Sequence, residues 1–140
     1  MYAAMEIDEV LYQLKPMNCP FHIGVYNADK HSYREFPIRW SELGTVYRYE
    51  RTGALHGLMR VRGFTQDDAH IFCTLAQMQQ ECETVVELVL DIYRDFGFDD
   101  VAIKLSTRPA NRIGSDEVWD QLENALSSAL GNMDIPYVVN

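Results

Sequence analysis

The sequence predicts an α+β fold with a largely antiparallel sheet. Two extended segments, 38–50 and 63–73, flank a glycine-containing loop, which is the pattern of an antiparallel hairpin. Two amphipathic segments with helix caps follow in the second half of the chain. Strands outnumber crossover helices in the first half, which favours α+β over an alternating α/β arrangement.

Composition limits the class of protein. With 140 residues the chain fits one domain, 1–140, and its net charge of −9 argues against a general nucleic-acid coat. No apolar run approaches the roughly 20 residues that cross a bilayer, and the amino terminus lacks the basic and apolar regions of a signal peptide. Three cysteines without a CxxC pair favour reduced thiols. We therefore expect a soluble cytoplasmic protein without a membrane partner.

The basic residues are unevenly distributed. Seven of the twelve lie within residues 30–62, whereas the acidic excess lies mostly later in the chain. A local arginine cluster inside an acidic chain indicates a specific anion site. The seven residues are Lys30, Arg34, Arg39, Arg48, Arg51, Arg60 and Arg62.

The first half of the chain predicts short elements and one hairpin. Residues 9–15 predict a short strand, and Pro16 and Pro20 then restrict the tetrad MNCP to a turn. A short helix is expected over 21–26. The segment 38–50 mixes β-branched and aromatic residues and ends in the strand-like run TVYRYE.

The stretch GFTQDDAHIFC, residues 63–73, shows the clearest alternation. A solvent loop would explain its polar run but not the apolar residues around that run. In an extended chain successive side chains point to opposite faces. One face would then carry a ring at each end with an amide, a carboxylate and an imidazole between them: Phe64, Gln66, Asp68, His70 and Phe72.

The segment 75–96 predicts the longest helix. Apolar residues recur at helical spacing, Thr74 and Gln77 form a capping box, and Gly97 is the expected stop.

A strand, a helix and a further strand complete the predicted order. The strand VAIKLSTRP ends at a proline, and a helix over 116–130 has Ser115 as its cap and Gly131 as its stop. The run IPYVV predicts a final strand. A domain that ends on an apolar strand is unusual, so we expect the chain to be a fragment.

Two residues suggest a metal site. Cys19 and His70 supply a thiolate and an imidazole, which are good zinc ligands, although zinc takes three or four protein ligands. The alternative is a small buried thiol and a hydrogen-bonded core histidine. Structural roles are expected for Cys73 and Cys82. Surface roles are expected for three further histidines: His22, His31 and His56.

The arginines around the loop suggest a nucleotide site. Arg48 and Glu50 precede the loop on one strand face, and Arg60 and Arg62 follow it. Arginine binds phosphate oxygens in a bidentate manner, so this arrangement is a plausible clamp. The alternative is a solvated hairpin with salt bridges. Aromatic residues are equally open: Phe64 could stack on a base or fill the core, and we expect Trp40 and Trp119 to pack.

The order of these segments resembles the threonyl-tRNA synthetases. The resemblance covers nearly the whole chain, from about residue 15 to its end, and the segments KPMNCP and GFTQDDAHIFC are specific to that family. The remaining matching segments are SYREFPIRW, ELGTVYRYE, GALHGLMRVRGF, LSTRP and GSDEVWD. The resemblance implies part of a class II antiparallel catalytic core, with ELGTVYRYE and its loop as motif 2.

The resemblance also implies roles for individual residues. Arg48 would be the catalytic residue that holds the α-phosphate of ATP and the carboxylate of threonine. Glu50 would contact the adenine amino group, Arg60 the γ-phosphate, and Phe64 would stack on adenine. The threonine contacts would be Met17, Gln66 and Asp68, and the zinc ligands Cys19 and His70. Alternate residues of the 63–73 strand would thus point into one pocket.

The family further implies threonine activation by ATP, followed by transfer to tRNA(Thr), with Zn²⁺, with Mg²⁺ on ATP, and with homodimers. The third zinc ligand, motif 3, motif 1, and the editing and anticodon-binding domains would lie outside residues 1–140. Phe21 and Tyr49 depart from the family pattern without removing a ligand. We expect these residues alone to be inactive in threonine-dependent pyrophosphate exchange and to hold zinc weakly. The alternative function is a synthetase-like module that binds a nucleotide or a partner without catalysis.

Overall fold

The computed structural model describes residues 1–140, and its two longest strands form one antiparallel hairpin. The chain divides into an amino-terminal unit, 1–72, and a carboxy-terminal unit, 73–140. The α+β class is confirmed, because three helices accompany six strands. None of the helices is both long and apolar enough to cross a membrane.

A small hairpin opens the amino-terminal unit. Strand β1 (Met5–Ile7) pairs with β2 (Val10–Tyr12) across a two-residue turn. The strand expected over 9–15 is present but shorter, because Asp8 and Glu9 adopt φ values of 51° and 63° and form the turn that joins it to β1, and it ends at Tyr12. Two successive residues with positive φ are the requirement of a type I′ hairpin turn.

Helix α1 (Cys19–Ala28) begins two residues earlier than expected. Pro20 lies in its first turn, where a missing N–H costs nothing. Cys19 therefore starts a helix and does not lie in a turn between prolines. This change matters for the site, because it places Cys19 and His22 one turn apart on the same helix.

The main hairpin consists of β3 (Ile38–Tyr47) and β4 (Gly63–Phe72), in register from the Ile38–Phe72 pair to the Tyr47–Gly63 pair. Burial alternates along both strands, so one face is half-buried and the other is exposed. The alternation predicted for residues 63–73 is confirmed. Strand β3 ends at Tyr47 and not at residue 50, although the N–H of Arg48 still donates to the carbonyl of Arg62 at 2.8 Å.

The carboxy-terminal unit contains the two long helices. Helix α2 (Leu75–Asp95) has the predicted capping box: the N–H of Thr74 donates to Oε1 of Gln77 at 3.0 Å. Gly97 follows it with a φ of 81°, as expected for a helix stop. Strand β5 (Ile103–Leu105) precedes helix α3, which spans Asp116–Asn132.

Two details of this unit differ from the sequence prediction. Helix α3 passes through Gly131, and the positive φ of 52° falls at Asp134 instead. Strand β6 (Tyr137–Val139) pairs with β5 in parallel, so the three two-stranded sheets are not all antiparallel. A helix lies between β5 and β6 in the chain, and such a crossover is what a parallel pair requires.

Candidate functional site

The half-buried face of the β3–β4 hairpin carries the polar residues that the sequence singled out. Opposite residues on this face pair in order along the strands. Glu42 lies directly across from Asp68, and like charges in that arrangement are unfavourable unless other groups offset them. The five pairs, from one end of the hairpin to the other, are Ile38–Phe72, Trp40–His70, Glu42–Asp68, Gly44–Gln66 and Val46–Phe64.

The segment 15–22 is fastened to this hairpin at several points. The carbonyl of Lys15 accepts a hydrogen bond from the N–H of Tyr47 at 2.8 Å, and the carbonyl of Pro16 accepts one from Nε of Arg48 at 3.2 Å. Further along, Nδ2 of Asn18 donates to Oδ2 of Asp68 at 3.1 Å. The MNCP tetrad is therefore held beside the predicted threonine contact Asp68.

Asn18 is the best-buried polar residue of the unit, with a relative exposure of 0%. It lies against Gly44, where a Cβ atom would come within 2.5 Å of Nδ2 of Asn18. Glycine is therefore required here by close approach and not by backbone conformation. This contact fixes the amide that holds Asp68, and no local sequence pattern predicted the role of Gly44 or of Asn18.

The predicted zinc ligands lie on the two elements that this packing joins. Cys19 follows Asn18 in the first turn of α1, and His70 lies two residues after Asp68 in β4. One turn after Cys19, His22 meets His70 with their Nδ1 atoms 2.8 Å apart. No group of three or more His, Cys, Asp or Glu side chains is placed to hold a metal. The thiol and the imidazole match the preference of zinc in kind, but two ligands do not complete a site.

His22 was wrongly expected at the surface. Its side chain is only 12% exposed, and its Nε2 lies 3.3 Å from Oε1 of Glu42. The same prediction was wrong for His31, whose side chain is 15% exposed and whose Nε2 lies 3.0 Å from the carbonyl oxygen of Tyr26. The sequence prediction started the helix at residue 21, so Cys19 and His22 were not expected one helical turn apart. With the helix beginning at Cys19, this spacing links His22 to the site.

The four residues predicted to bind ATP line one cavity of about 550 Å³: Arg48, Glu50, Arg60 and Phe64. The guanidinium carbon of Arg48 lies 5.3 Å from the ring centroid of Phe64. Nε of Arg60 donates to Oε2 of Glu50 at 3.2 Å, so the salt bridge of the alternative interpretation is also present. Nε of Arg62 donates to the Glu50 carbonyl at 3.0 Å and steadies the backbone there.

Arg48 also lines a second cavity, of about 250 Å³, together with Met17 and Pro16. The Arg48 side chain therefore borders both cavities: the one lined by the predicted ATP contacts and the one lined by Met17, a predicted threonine contact. Gln66 lies on the half-buried face opposite Gly44 but lines neither cavity.

Residues 4–134 match the family model described as the tRNA synthetase class II core domain (G, H, P, S and T). The chain is also similar to whole proteins. A threonine–tRNA ligase of Magnetococcus marinus is 58% identical over 140 residues, which is 100% of this chain and 22% of that protein. A threonine–tRNA ligase of Borreliella afzelii is 51% identical over 140 residues, 100% of this chain and 24% of that protein. The chain thus spans about a quarter of the length of these relatives or slightly less.

A solved structure shows the same similarity in three dimensions. The RNA binding domain of threonyl-tRNA synthetase from Cryptosporidium parvum Iowa II superposes with a TM-score of 0.87 at 42% sequence identity. The match covers 98% of this chain and 34% of that one.

Proposed function

The chain belongs to the tRNA synthetase class II core domain family, and from that membership we propose that it is the part of a threonine–tRNA ligase that binds ATP and threonine. The identities of 58% and 51% with threonine–tRNA ligases support this substrate over those of the other synthetases in the family. The observation that carries the proposal is the position of Arg48 between two cavities, because a residue that serves both substrates must border both.

ATP would occupy the larger cavity. Its adenine would stack on Phe64, with the exocyclic amino group donating to Glu50, and Arg60 would turn from Glu50 to the γ-phosphate. Glu50 is paired with Arg60 in this structure, and an exposed ion pair of that kind contributes only about 0–1 kcal/mol. A triphosphate carries more charge than one carboxylate, so this exchange is favourable. Mg²⁺ would arrive with the ATP.

Threonine would lie toward Met17, Gln66 and Asp68. The Asp68 carboxylate, held by Asn18, would accept hydrogen bonds from the substrate. Arg48 would bind the substrate carboxylate with the fork geometry that suits guanidinium groups. One arginine would thus hold the nucleophilic oxygen and the α-phosphate in contact, which is the positioning that a bimolecular reaction needs.

The reaction would proceed in two steps. A carboxylate oxygen of threonine attacks the α-phosphorus of ATP, the bond to the β-phosphate oxygen breaks, and pyrophosphate leaves with the electron pair. A hydroxyl oxygen of the 3′-terminal adenosine of tRNA then attacks the carbonyl carbon and gives up its proton, the bond from that carbon to the phosphate oxygen breaks, and AMP leaves with the electron pair. Negative charge grows on the α-phosphate during the first step, so a preplaced Arg48 stabilises the transition state electrostatically.

Cys19 and His70 would hold a zinc ion, with a third protein ligand from outside residues 1–140. The bound ion would act as a Lewis acid that accepts the amino and hydroxyl groups of threonine, which valine cannot match. Asn18 and His22 would keep the two ligand-bearing elements together, through the contacts to Asp68 and His70.

Nucleotide titration of the 140-residue chain tests the proposal. Calorimetry should show saturable binding of ATP with Mg²⁺ and weaker binding of GTP, which lacks the exocyclic amino group that Glu50 would recognise. The Arg48→Ala variant should bind ATP roughly tenfold to a hundredfold more weakly, as expected for a lost charged hydrogen bond worth about 1.5–3 kcal/mol. Arg34→Ala is the matched control, because Arg34 is an exposed arginine of the same unit that lines neither cavity.

Equal binding of GTP and ATP, together with an unchanged affinity in Arg48→Ala, would contradict the assignment of the larger cavity. Loss of affinity in Arg34→Ala to the same extent would indicate that only the net charge matters.

A further inference from the structure

The side chains of Glu42, His22 and His70 lie in a defined order, with His22 in the middle. Nδ1 of His22 lies 2.8 Å from Nδ1 of His70, with the rings at 89° to one another. On its other side, Nε2 of His22 lies 3.3 Å from Oε1 of Glu42. The three side chains thus form a row from carboxylate to imidazole to imidazole.

This row determines which nitrogen of each neutral ring carries a proton. A carboxylate can only accept, so it favours the proton of His22 on Nε2. A neutral imidazole has one N–H, so Nδ1 of His22 is then the acceptor in the contact with His70. Nδ1 of His70 must donate, and its Nε2 keeps a free lone pair.

Glu42 is suited to this role by its position on the hairpin. It faces Asp68 across the strands, and that like-charge pair is tolerable because each carboxylate has its own partners. Asn18 donates to Asp68 at 3.1 Å, whereas Glu42 has His22 at 3.3 Å and Nζ of Lys15 at 3.9 Å. The Glu42 carboxylate is therefore placed to accept a hydrogen bond from Nε2 of His22.

We propose that Glu42 and His22 are positioning residues that orient His70 and fix its tautomer, so that Nε2 is the atom that faces a metal ion. The inference rests on the proposed function, which makes His70 a zinc ligand. Histidine ligands generally donate their other ring N–H to a fixed acceptor, and loss of that acceptor typically lowers metal affinity by about 10- to 100-fold. The acceptor here is the nitrogen of a second histidine, which a carboxylate holds in turn.

Nitrogen NMR of the metal-free chain tests the tautomer without any bound metal. At about pH 8, long-range ¹H–¹⁵N spectra should show His70 protonated on Nδ1 and His22 on Nε2. Glu42→Ala should turn both rings into tautomer mixtures, whereas Glu42→Gln should preserve the pattern because an amide oxygen still accepts. A His70 ring protonated on Nε2, or a pattern unchanged in Glu42→Ala, would overturn the inference.

Cobalt(II) titration measures the consequence for binding, because a thiolate–cobalt pair absorbs light. His22→Ala should weaken cobalt binding about 10- to 100-fold. His22→Asn should restore most of the affinity, since its amide oxygen can accept the same N–H from His70. His56→Ala removes an exposed histidine of the loop and should leave the affinity unchanged.

The variants separate the two proposals. If wild type gives no thiolate band even at the highest cobalt concentration, or if Cys19→Ser keeps the band, the zinc site itself is refuted, while the NMR result still decides the role of Glu42 and His22. If wild type binds cobalt through Cys19 and His22→Ala binds equally well, the zinc site stands and this inference fails. Circular dichroism of each variant confirms that the helix content is kept, and Glu42→Ala provides the second variant if His22→Ala does not fold.

Discussion

Arg48 and Arg108 show how the two units use the same side chain differently. Arg108, in the carboxy-terminal unit, donates from Nη2 to Glu123 at 2.9 Å and to Asp120, and its backbone N–H donates to Glu123. Arg48, within residues 1–72, contacts the carbonyl of Pro16 and the ring of Phe64 but no carboxylate. One guanidinium is neutralised by its own chain, and the other borders two cavities.

The polar residues of the units differ in the same way. In the carboxy-terminal unit Arg108, Asp120 and Glu123 pair near the surface, and the hydrogen bond from the Arg108 backbone lowers the pKa of Glu123. In the amino-terminal unit the polar residues line the half-buried face of a hairpin, where Asn18 and His22 hold them from one side. The carboxy-terminal arginine is thus occupied by carboxylates of its own unit, whereas the Arg48 guanidinium has no carboxylate partner and is available to an anionic ligand.

The largest expected effect concerns the core of the carboxy-terminal unit. Leu130 is 5% exposed, so Leu130→Ala should lower the free energy of unfolding by about 2–5 kcal/mol through lost burial and a cavity. Leu122→Ala is the control on the same helix, since Leu122 is 37% exposed and should cost less. Urea denaturation measures both. The ATP affinity of the folded Leu130→Ala chain should be unchanged, and a loss of affinity would contradict the division of roles between the units.

The next effect concerns the close approach of Gly44 to Asn18. Gly44→Ala should displace the Asn18 amide and destabilise the chain by about 1–3 kcal/mol, as overpacking does. Gly24→Ala is the matched control, because a Cβ there meets nothing within 4 Å and alanine in a helix is favoured by roughly 0.5–1 kcal/mol. Urea midpoints should therefore move in opposite directions. Equal shifts of the same sign would show that the Asn18 contact is not tight.

A third test exchanges the two arginines for glutamine. Arg108→Gln should lower the urea midpoint, because the ion pairs with Asp120 and Glu123 are lost. It should leave ATP affinity unchanged, because Arg108 lines neither cavity. Arg48→Gln should lower the ATP affinity, and it should shift the urea midpoint less than Arg108→Gln does. An Arg48→Gln chain that lost stability but kept ATP affinity would make Arg48 a structural residue.

The smallest expected effect is a pH dependence in the carboxy-terminal unit. The pKa of Glu123 is lowered by the hydrogen bond from the Arg108 backbone, and that of Asp116 by Arg112, from the ordinary values of 4.5 and 3.8. A lowered pKa in the folded state stabilises it above the unfolded pKa, and this contribution is lost as the pH falls through the folded pKa. The urea midpoint should therefore decrease as the pH is lowered below about 5, and the decrease should be smaller in Glu123→Gln. Glu87→Gln, at an exposed position of α2, should keep the wild-type dependence.

Regular spacing made much of the fold predictable. The alternation of residues 63–73 predicted β4 and its half-buried face, because strand side chains have a strict period of two. The capping box at Thr74 and the stop at Gly97 predicted both ends of α2 to within a residue. Gly131 misled the prediction, since a single glycine costs a helix only about 1 kcal/mol and packing can outweigh that.

The candidate site was predicted less completely. Residues of the loop and of β4 were proposed from local pattern and family resemblance, and four of them line one cavity: Arg48, Glu50, Arg60 and Phe64. Asn18, His22 and Glu42 were missed because their roles depend on contacts between distant segments, which no local period reveals. Only the three-residue spacing of Cys19 and His22 offered a signal, and it required the correct start of α1.

The strict pairing of β3 with β4 has a consequence for how this protein could change. Inserting or deleting one residue in β4 would turn every inward side chain outward beyond that point. Gln66, Asp68 and His70 would then face solvent, and their neighbours in the strand would face inward instead. The residues that face inward along this strand can therefore be changed by substitution, one position at a time, whereas changes in length are restricted to the loop that joins the two strands.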